Sequence, residues 1–143
     1  MTTTVRNALM EDAPALAPLL AELGYPCEVE EASRRLAALL ESGGCVAIVA
    51  EVDGRIVALA TAHEMNLLHS SGKVVQLTML VVASSARRSG VGRALVEAAE
   101  TWARWRGCMR MVVASNERRK DAHAFYERLG FAHTSRYYSK MLS

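Results

Sequence analysis

Apolar and polar positions follow two rhythms along this chain, and the places where the rhythm changes divide it into elements. Thr2 to Ala8 has the character of a first strand. Glu11-Asp12 followed by Pro14 marks a helix start, because proline's fixed φ suits the first turn. Leu16, Leu19, Leu20 and Leu23 then recur on one face, and Gly24-Tyr25-Pro26 ends the run. A second amphipathic helix is predicted from about Val29 to Leu40, with Leu36, Leu39 and Leu40 inward and Arg34 and Arg35 outward. Gly43-Gly44 stops it. Cys45 to Glu51 and Arg55 to about Glu64 flank Asp53-Gly54, a strong two-residue hairpin signal. Asn66 to Gly72 is a loop, and Lys73 to Val82 is a long apolar strand. Val91, Leu95, Ala98, Trp102 and Trp105 return to helical spacing until Gly107. Met109 to Ala114 is a further buried strand, about Arg119 to Leu129 a helix capped by Gly130, and Phe131 to Met141 supplies one or two closing strands. The order β-α-α-β-β-β-α-β-α-β predicts an α/β fold. No repeat or low-complexity linker interrupts it, so residues 1–143 are expected to form a single domain.

Composition narrows the function classes. With 51% hydrophobic and 22% charged residues the chain can bury an ordinary core. A net charge of +2 is too small to favour nucleic acid. Basic residues cluster locally, at Arg87, Arg88 and Arg93 and again at Arg118, Arg119 and Lys120, which suits a small anionic ligand. The three cysteines (Cys27, Cys45, Cys108) are widely spaced and form no C-x-x-C pair, so neither a disulfide framework nor a zinc or other metal site is expected. There is no apolar signal core and no run long enough to span a bilayer. A cytoplasmic protein with no membrane partner is therefore expected.

The chemistry concentrates between Gln76 and Phe131. The apolar strand runs into Arg87-Arg88-Ser89-Gly90-Val91-Gly92-Arg93, and a helix begins near Val91. A glycine-bearing turn at a helix start exposes main-chain N–H groups at the positive end of the helix dipole, which suits a pyrophosphate. Gly90 and Gly92 lack the Cβ that would hold backbone away from phosphate oxygens, and the guanidinium groups add charge. The Walker pattern Gly-x-x-x-x-Gly-Lys-Ser/Thr is absent, and so is the full dinucleotide pattern with its acidic residue. Downstream come Asn116 and then Ala122-His123-Ala124-Phe125-Tyr126-Glu127-Arg128-Leu129-Gly130-Phe131.

Arg87-x-x-Gly90-x-Gly92 followed by the Phe125-Tyr126…Gly130-Phe131 segment resembles the acyl-CoA core of the GNAT N-acetyltransferase superfamily over nearly the whole chain. The resemblance implies a GNAT fold: a mixed, mostly antiparallel sheet of six to seven strands flanked by about four helices. It implies acetyl-CoA as cofactor, with its diphosphate on Arg87, Arg88, Ser89, Gly90, Val91, Gly92 and Arg93. The pantetheine arm would lie on main-chain groups of Leu80, Val81 and Val82, in a strand that splays from its neighbour in the family. Tyr126 matches the tyrosine beside the acyl sulfur and would also protonate the leaving thiolate, as a phenol of ordinary pKa about 10 can. Asn116 would contact the pantetheine or adenylate part, or serve only as the N-cap of the next helix.

Many family members carry a glutamate base in the strand before the turn. Here the matching stretch is Gln76-Leu77-Thr78-Met79-Leu80, and Thr78 can orient water without accepting a proton. His63, Glu64, His69 and His123 are the base candidates, with His63 preferred because family geometry places that strand beside the acyl carbonyl. Glu22, Tyr25, Glu28, Glu30 and Glu31 could attract a cationic amine, or form a solvated helix face. The expected reaction is direct transfer of acetyl from acetyl-CoA to a primary amine of a small molecule. A protein or peptide amine is the alternative acceptor, and a catalytically silent acyl-CoA-binding module or a purely structural domain are alternatives of another class. The family often forms dimers through its C-terminal elements, and Tyr137, Tyr138 and Met141 could serve a homodimer contact.

Overall fold

A computed structural model describes residues 2–114, 120–134 and 138–142. Its strands are β1 (Thr3–Asn7), β2 (Cys45–Val52), β3 (Arg55–Met65), β4 (Lys73–Val82) and β5 (Cys108–Val113). Its helices are α1 (Ala13–Leu23), α2 (Val29–Glu41), α3 (Val91–Trp105) and α4 (Lys120–Arg128). Short 3-10 turns precede α1 and follow β4.

The five strands form one sheet in sequence order, antiparallel from β1 to β4 and parallel between β4 and β5. Asp53 and Gly54 both take positive φ, 51° and 80°, as a tight hairpin with right-handed twist demands. The parallel β4–β5 pair needs a crossover, and α3 provides it. Strand alternation assigns the two faces. Ile48, Ala60, Leu77 and their neighbours pack against Leu95, Val96 and Ala99 of α3. Val49, Leu59 and Val81 pack against Leu16 and Leu19 of α1 and Leu36 of α2. Small alanines on β3 let α3 approach closely, which is why Ala58 and Ala60 are fully buried.

The fold class and the helix count agree with the sequence, but the strand count does not. The sixth and seventh strands expected between Phe131 and Met141 are not found among the described residues: 131–134 and 138–142 belong to no strand. This closing segment has little of the sustained apolar alternation that marks β4. Residues 135–137, which include Tyr137, lie outside the described residues.

Two ion-pair clusters tie distant elements together. Arg6 on β1 grips Asp12 through both terminal nitrogens (2.8 and 2.9 Å) and reaches Glu51 on β2 with Nε (2.9 Å). Asp12 is 7% exposed and also accepts the Leu9 amide, so the chain's entry into α1 is fixed to the sheet edge. The Arg6 guanidinium holds the Asp12 carboxyl below its ordinary range. On the α3 side, Arg106 binds Glu64 of β3 twice (2.9 and 2.6 Å), and Lys73 adds a third contact at 3.2 Å.

Those two cations, Arg106 foremost, lower the Glu64 pKa to about 2. A carboxylate depressed in the folded state contributes stability above its unfolded pKa and loses it as pH falls through the folded value. Glu64→Gln should therefore lower the thermal midpoint at pH 7 by about 4 °C. The gap to the parent protein should close as pH falls from about 4.5 toward about 2. Thermal scans of both proteins across that range check it.

Candidate active site

The site begins where β4 loses its partner. β5 pairs with β4 only from Lys73↔Cys108 to Leu77↔Val113, yet β4 continues to Val82. Among the described residues, the β5-facing edge of 78–82 has no strand beside it, which leaves an opening in the ladder there. Leu80 and Val82 send their side chains into the α3-side core, while Val81 is buried against the α1 side. Their main-chain groups border the opening.

Past Val82 the chain makes a 3-10 turn over Ser84–Ala86 and enters α3 through Gly90, the N-cap. Arg88 at φ 63° and Gly90 at φ 85° both lie in the left-handed region. Arg87, Arg88, Ser89 and Gly90 are exposed, Val91 is 3% exposed, and Arg93 is exposed on the first turn. Arg87 Nε folds back on the Val82 carbonyl (3.3 Å), and the Ser89 hydroxyl donates to the Ala86 carbonyl. Among the described residues, none accepts the amides of Arg88, Ser89, Gly90, Val91, Gly92 or Arg93. The first turn of α3 carries no acidic side chain. A row of open N–H groups at the positive end of a fifteen-residue helix is an anion cradle.

α4 rests directly on this cradle. A Cβ built on Gly92 would stand 3.3 Å from Phe125 Cζ and 3.5 Å from Val82 Cγ2, so the end of β4, the start of α3 and the middle of α4 meet at one hydrogen atom. Tyr126 follows Phe125 and packs edge-on against it (centroids 5.3 Å apart) and against Phe131 (5.6 Å). The Phe131 amide donates to the Tyr126 carbonyl, closing α4. Thus the two sequence motifs, separated by over thirty residues, are neighbours in space.

His63 lies elsewhere. It faces the α1 side with Leu59 and Thr61, is exposed, and pairs across strands with Cys45 and Gln76. Along β4 that position is about 13 Å from Leu80 and about 20 Å from Val82 at 3.3 Å per residue. Tyr126 packs on the α3 side of the sheet, and His63 faces the α1 side. Glu64, named with His63 as a base, is unsuited to the role, since it faces α3 and is held ionised by Arg106 and Lys73. His69 is exposed in the loop before β4, at the strand end away from the cradle. Asn116 lies outside the described residues, as do Arg118 and Arg119.

The acidic α1–α2 connection divides on inspection. Glu22 accepts the Ser84 amide (3.0 Å) and so ties α1 to the turn that follows β4. Glu31 pairs with Arg34 and Arg35. Glu28 and Glu30 are exposed and, among the described residues, have no cationic partner. Sequence reasoning missed the Glu22 contact, the Gly92–Phe125 packing and a bond between Thr61 and Thr78 (2.6 Å). Of these, only the hydroxyl at Thr78 gave a signal beforehand.

Among the described residues no group of His, Cys, Asp or Glu could hold a metal ion, and no helix is long and apolar enough to cross a membrane. Burial, then the Glu64 carboxylate, pushes the Cys45 and Cys108 thiols up, away from nucleophilic thiolate.

β4 runs on past the end of β5 and leads into a helix start with open N–H groups, an arrangement that suits an anionic ligand. Residues 5–131 match the model of the acetyltransferase (GNAT) family, and the chain belongs to that family. It is an acyltransferase that uses acetyl-CoA. It is 32% identical to an aminoglycoside N(6')-acetyltransferase of Stenotrophomonas maltophilia, over 93% of this chain and 88% of that one. A shorter match, 30% identical over 63% of this chain and 58% of the other, is to an aminoalkylphosphonate N-acetyltransferase of Salmonella typhimurium. Among solved structures, the aminoglycoside N-acetyltransferase AAC(6')-Iy in complex with CoA has the same fold (TM-score 0.86, 22% identity, 99% of this chain and 96% of that one).

Proposed function

We propose that this protein transfers the acetyl group of acetyl-CoA to a primary amine of a small molecule by direct attack within a ternary complex. The observation that carries the reading is the three-way contact at Gly92, where Val82 and Phe125 close on the start of α3. In this reading the amides from Arg88 to Arg93 hold the diphosphate, and the open edge of Leu80, Val81 and Val82 takes the pantetheine. Tyr126, one residue from Phe125, then stands at the sulfur. Both named relatives above act on small molecules bearing an amine, which favours that acceptor class. Glu28 and Glu30, beside the exposed Tyr25, supply charge for an ammonium-bearing substrate.

The neutral amine attacks the thioester carbonyl. A carbon–nitrogen bond forms, the carbon–sulfur bond breaks, the excess ammonium proton passes through water to His63, and Tyr126 protonates the thiolate. The raised Cys45 and Cys108 thiols favour this route over an acyl-enzyme. All 143 residues act as one domain, working in the cytoplasm as a homodimer; the half-buried free thiols and the exposed Tyr138 and Met141 support those assignments.

An amine panel of aminoglycosides, polyamines and amino acids, read by free thiol released from acetyl-CoA, tests the proposal. At least one cationic small amine should accelerate release about 100-fold or more over water. Thermal protection by CoA with no release for any amine would identify a silent binding module instead, and release only with peptide amines would move the acceptor class.

A further inference from the structure

We infer that Thr78, oriented by the buried Thr61, positions the acceptor amine for attack, an assignment that rests on the transferase reading above.

Strands β3 and β4 slip register between Thr61 and Ala62. Thr61 faces Met79 and Ala62 faces Leu77, which leaves Thr78 as the extra residue of a β-bulge. A bulge turns two consecutive side chains of one strand toward the same face. Here they are Thr78 and Met79, on the α1 side. Met79 packs against Ala17 and Leu20 of α1 and Ala32 of α2, a cluster that Cys27 of the connection between them also joins. Thr78 is exposed beside it, at the level where the β5 ladder stops. The bulge thus sets one hydroxyl at the meeting point of the sheet's opening and the α1–α2 connection.

Burial assigns the direction of the Thr61–Thr78 bond. Thr61 is 7% exposed; on that face it is flanked along β3 by Leu59 and the exposed His63, and across the strands by Ala47 and Met79. Among the described residues its hydroxyl has one polar partner, Thr78 Oγ1 at 2.6 Å. A buried O–H left without an acceptor costs more than an exposed one, which water can serve. Thr61 is therefore the donor and Thr78 the acceptor. That leaves Thr78 Oγ1 one lone pair and one proton, both on its open side, with the rotor fixed from behind.

A neutral primary amine has two N–H groups and one nitrogen lone pair. If Thr78 Oγ1 accepts one N–H, the nitrogen lone pair is confined to directions away from the hydroxyl, toward the cleft. The Thr78 proton then serves a water on the His63 side. Thr78 is the diagonal cross-strand neighbour of His63, through Gln76, at a Cα separation of about 7–8 Å. A single water spans about 5.6 Å between two heavy atoms, so that distance suits one bridging molecule. Thr61 touches no reactant; it is a positioning residue acting through Thr78.

The test uses steady-state kinetics with an amine found active in the panel, beside Tyr126→Phe as a marker of the transferase chemistry. Thr78→Val, which keeps the shape and removes the hydroxyl, should lower kcat about 10- to 50-fold. The KM for acetyl-CoA and the thermal midpoint should stay near parental values. Thr78→Ser should restore kcat to within about threefold. Thr61→Val should cost about 3- to 10-fold alone and nothing further in the Thr78→Val background, because its effect passes through the hydroxyl already lost. If Tyr126→Phe impairs turnover but Thr78→Val stays within twofold of the parent, this inference falls and the transferase reading stands. Additive losses in the double variant would also overturn it. A parent enzyme that releases no thiol with any amine removes both.

Discussion

Replacing Tyr126 with phenylalanine should reduce kcat with the best acceptor about 100-fold or more while leaving acetyl-CoA affinity within a few-fold. A departing thiolate is stabilised by a proton donor at the sulfur, and general acid catalysis of this kind contributes about 10²–10⁴ in rate. The ring itself would be unchanged, so its edge-on contacts with Phe125 and Phe131 would persist and α4 would keep its seat on the cradle. Binding of CoA by calorimetry, together with single-turnover rates, separates the two effects. Equal kcat for the two proteins would remove the phenol from the reaction.

The second large effect concerns Gly92. Valine there should raise the KM for acetyl-CoA about 100-fold and lower the thermal midpoint, for two distinct reasons. Its Cβ would stand 3.3 Å from Phe125 Cζ and 3.5 Å from Val82 Cγ2, and its two methyl groups would drive further into the same space. Overpacking of this kind costs about 1–3 kcal/mol. The displaced helix would also carry Tyr126 with it and push the amides of the first turn out of reach of a phosphate. Gly90→Ala isolates the backbone component: a Cβ at Gly90 meets nothing within 4 Å, but its φ of 85° is unfavourable for alanine by about 1 kcal/mol. It should weaken cofactor binding about tenfold with little disturbance of α4. Cofactor KM values unchanged in both variants would place the diphosphate elsewhere.

Legibility of the fold from sequence followed the range of the forces involved. Helices α1 to α4 and strands β2 to β4 declare themselves because burial imposes local periodicity: Val91, Leu95 and Trp102 share a face wherever α3 ends up, and Asp53-Gly54 can hardly be other than a turn. The expected closing strands are not found among the described residues of 131–142, a segment that has strand-compatible residues but weak apolar alternation. At the candidate site, the entry into α3 through Gly90 was legible since its requirement, glycine before a helix, is local. Contacts across the sheet were not. Nothing in the spacing of Thr61 and Thr78 announces a hydrogen bond, because it depends on a one-residue register slip between strands. Glu22 offered a free-looking carboxylate on a helix, while in the fold it caps the Ser84 amide. Glu64 sits next to His63 in sequence, yet strand alternation turns the two to opposite faces.

The half-paired β4 has a consequence for how such a molecule lives between turnovers. With β5 ending at Val113, the peptide groups of 78–82 that point away from β3 have, among the described residues, no strand to pair with, an unfavourable condition for backbone beside a dry core unless another partner serves them. In the proposed cofactor pose, a pantetheine chain laid there would act as a surrogate strand and supply amide partners to that edge. Folding and cofactor capture then share one free-energy ledger: saturation at a hundredfold excess over Kd adds about 2.7 kcal/mol to the native state. The cell's acyl-CoA supply would in that way govern both the catalyst's speed and its lifetime.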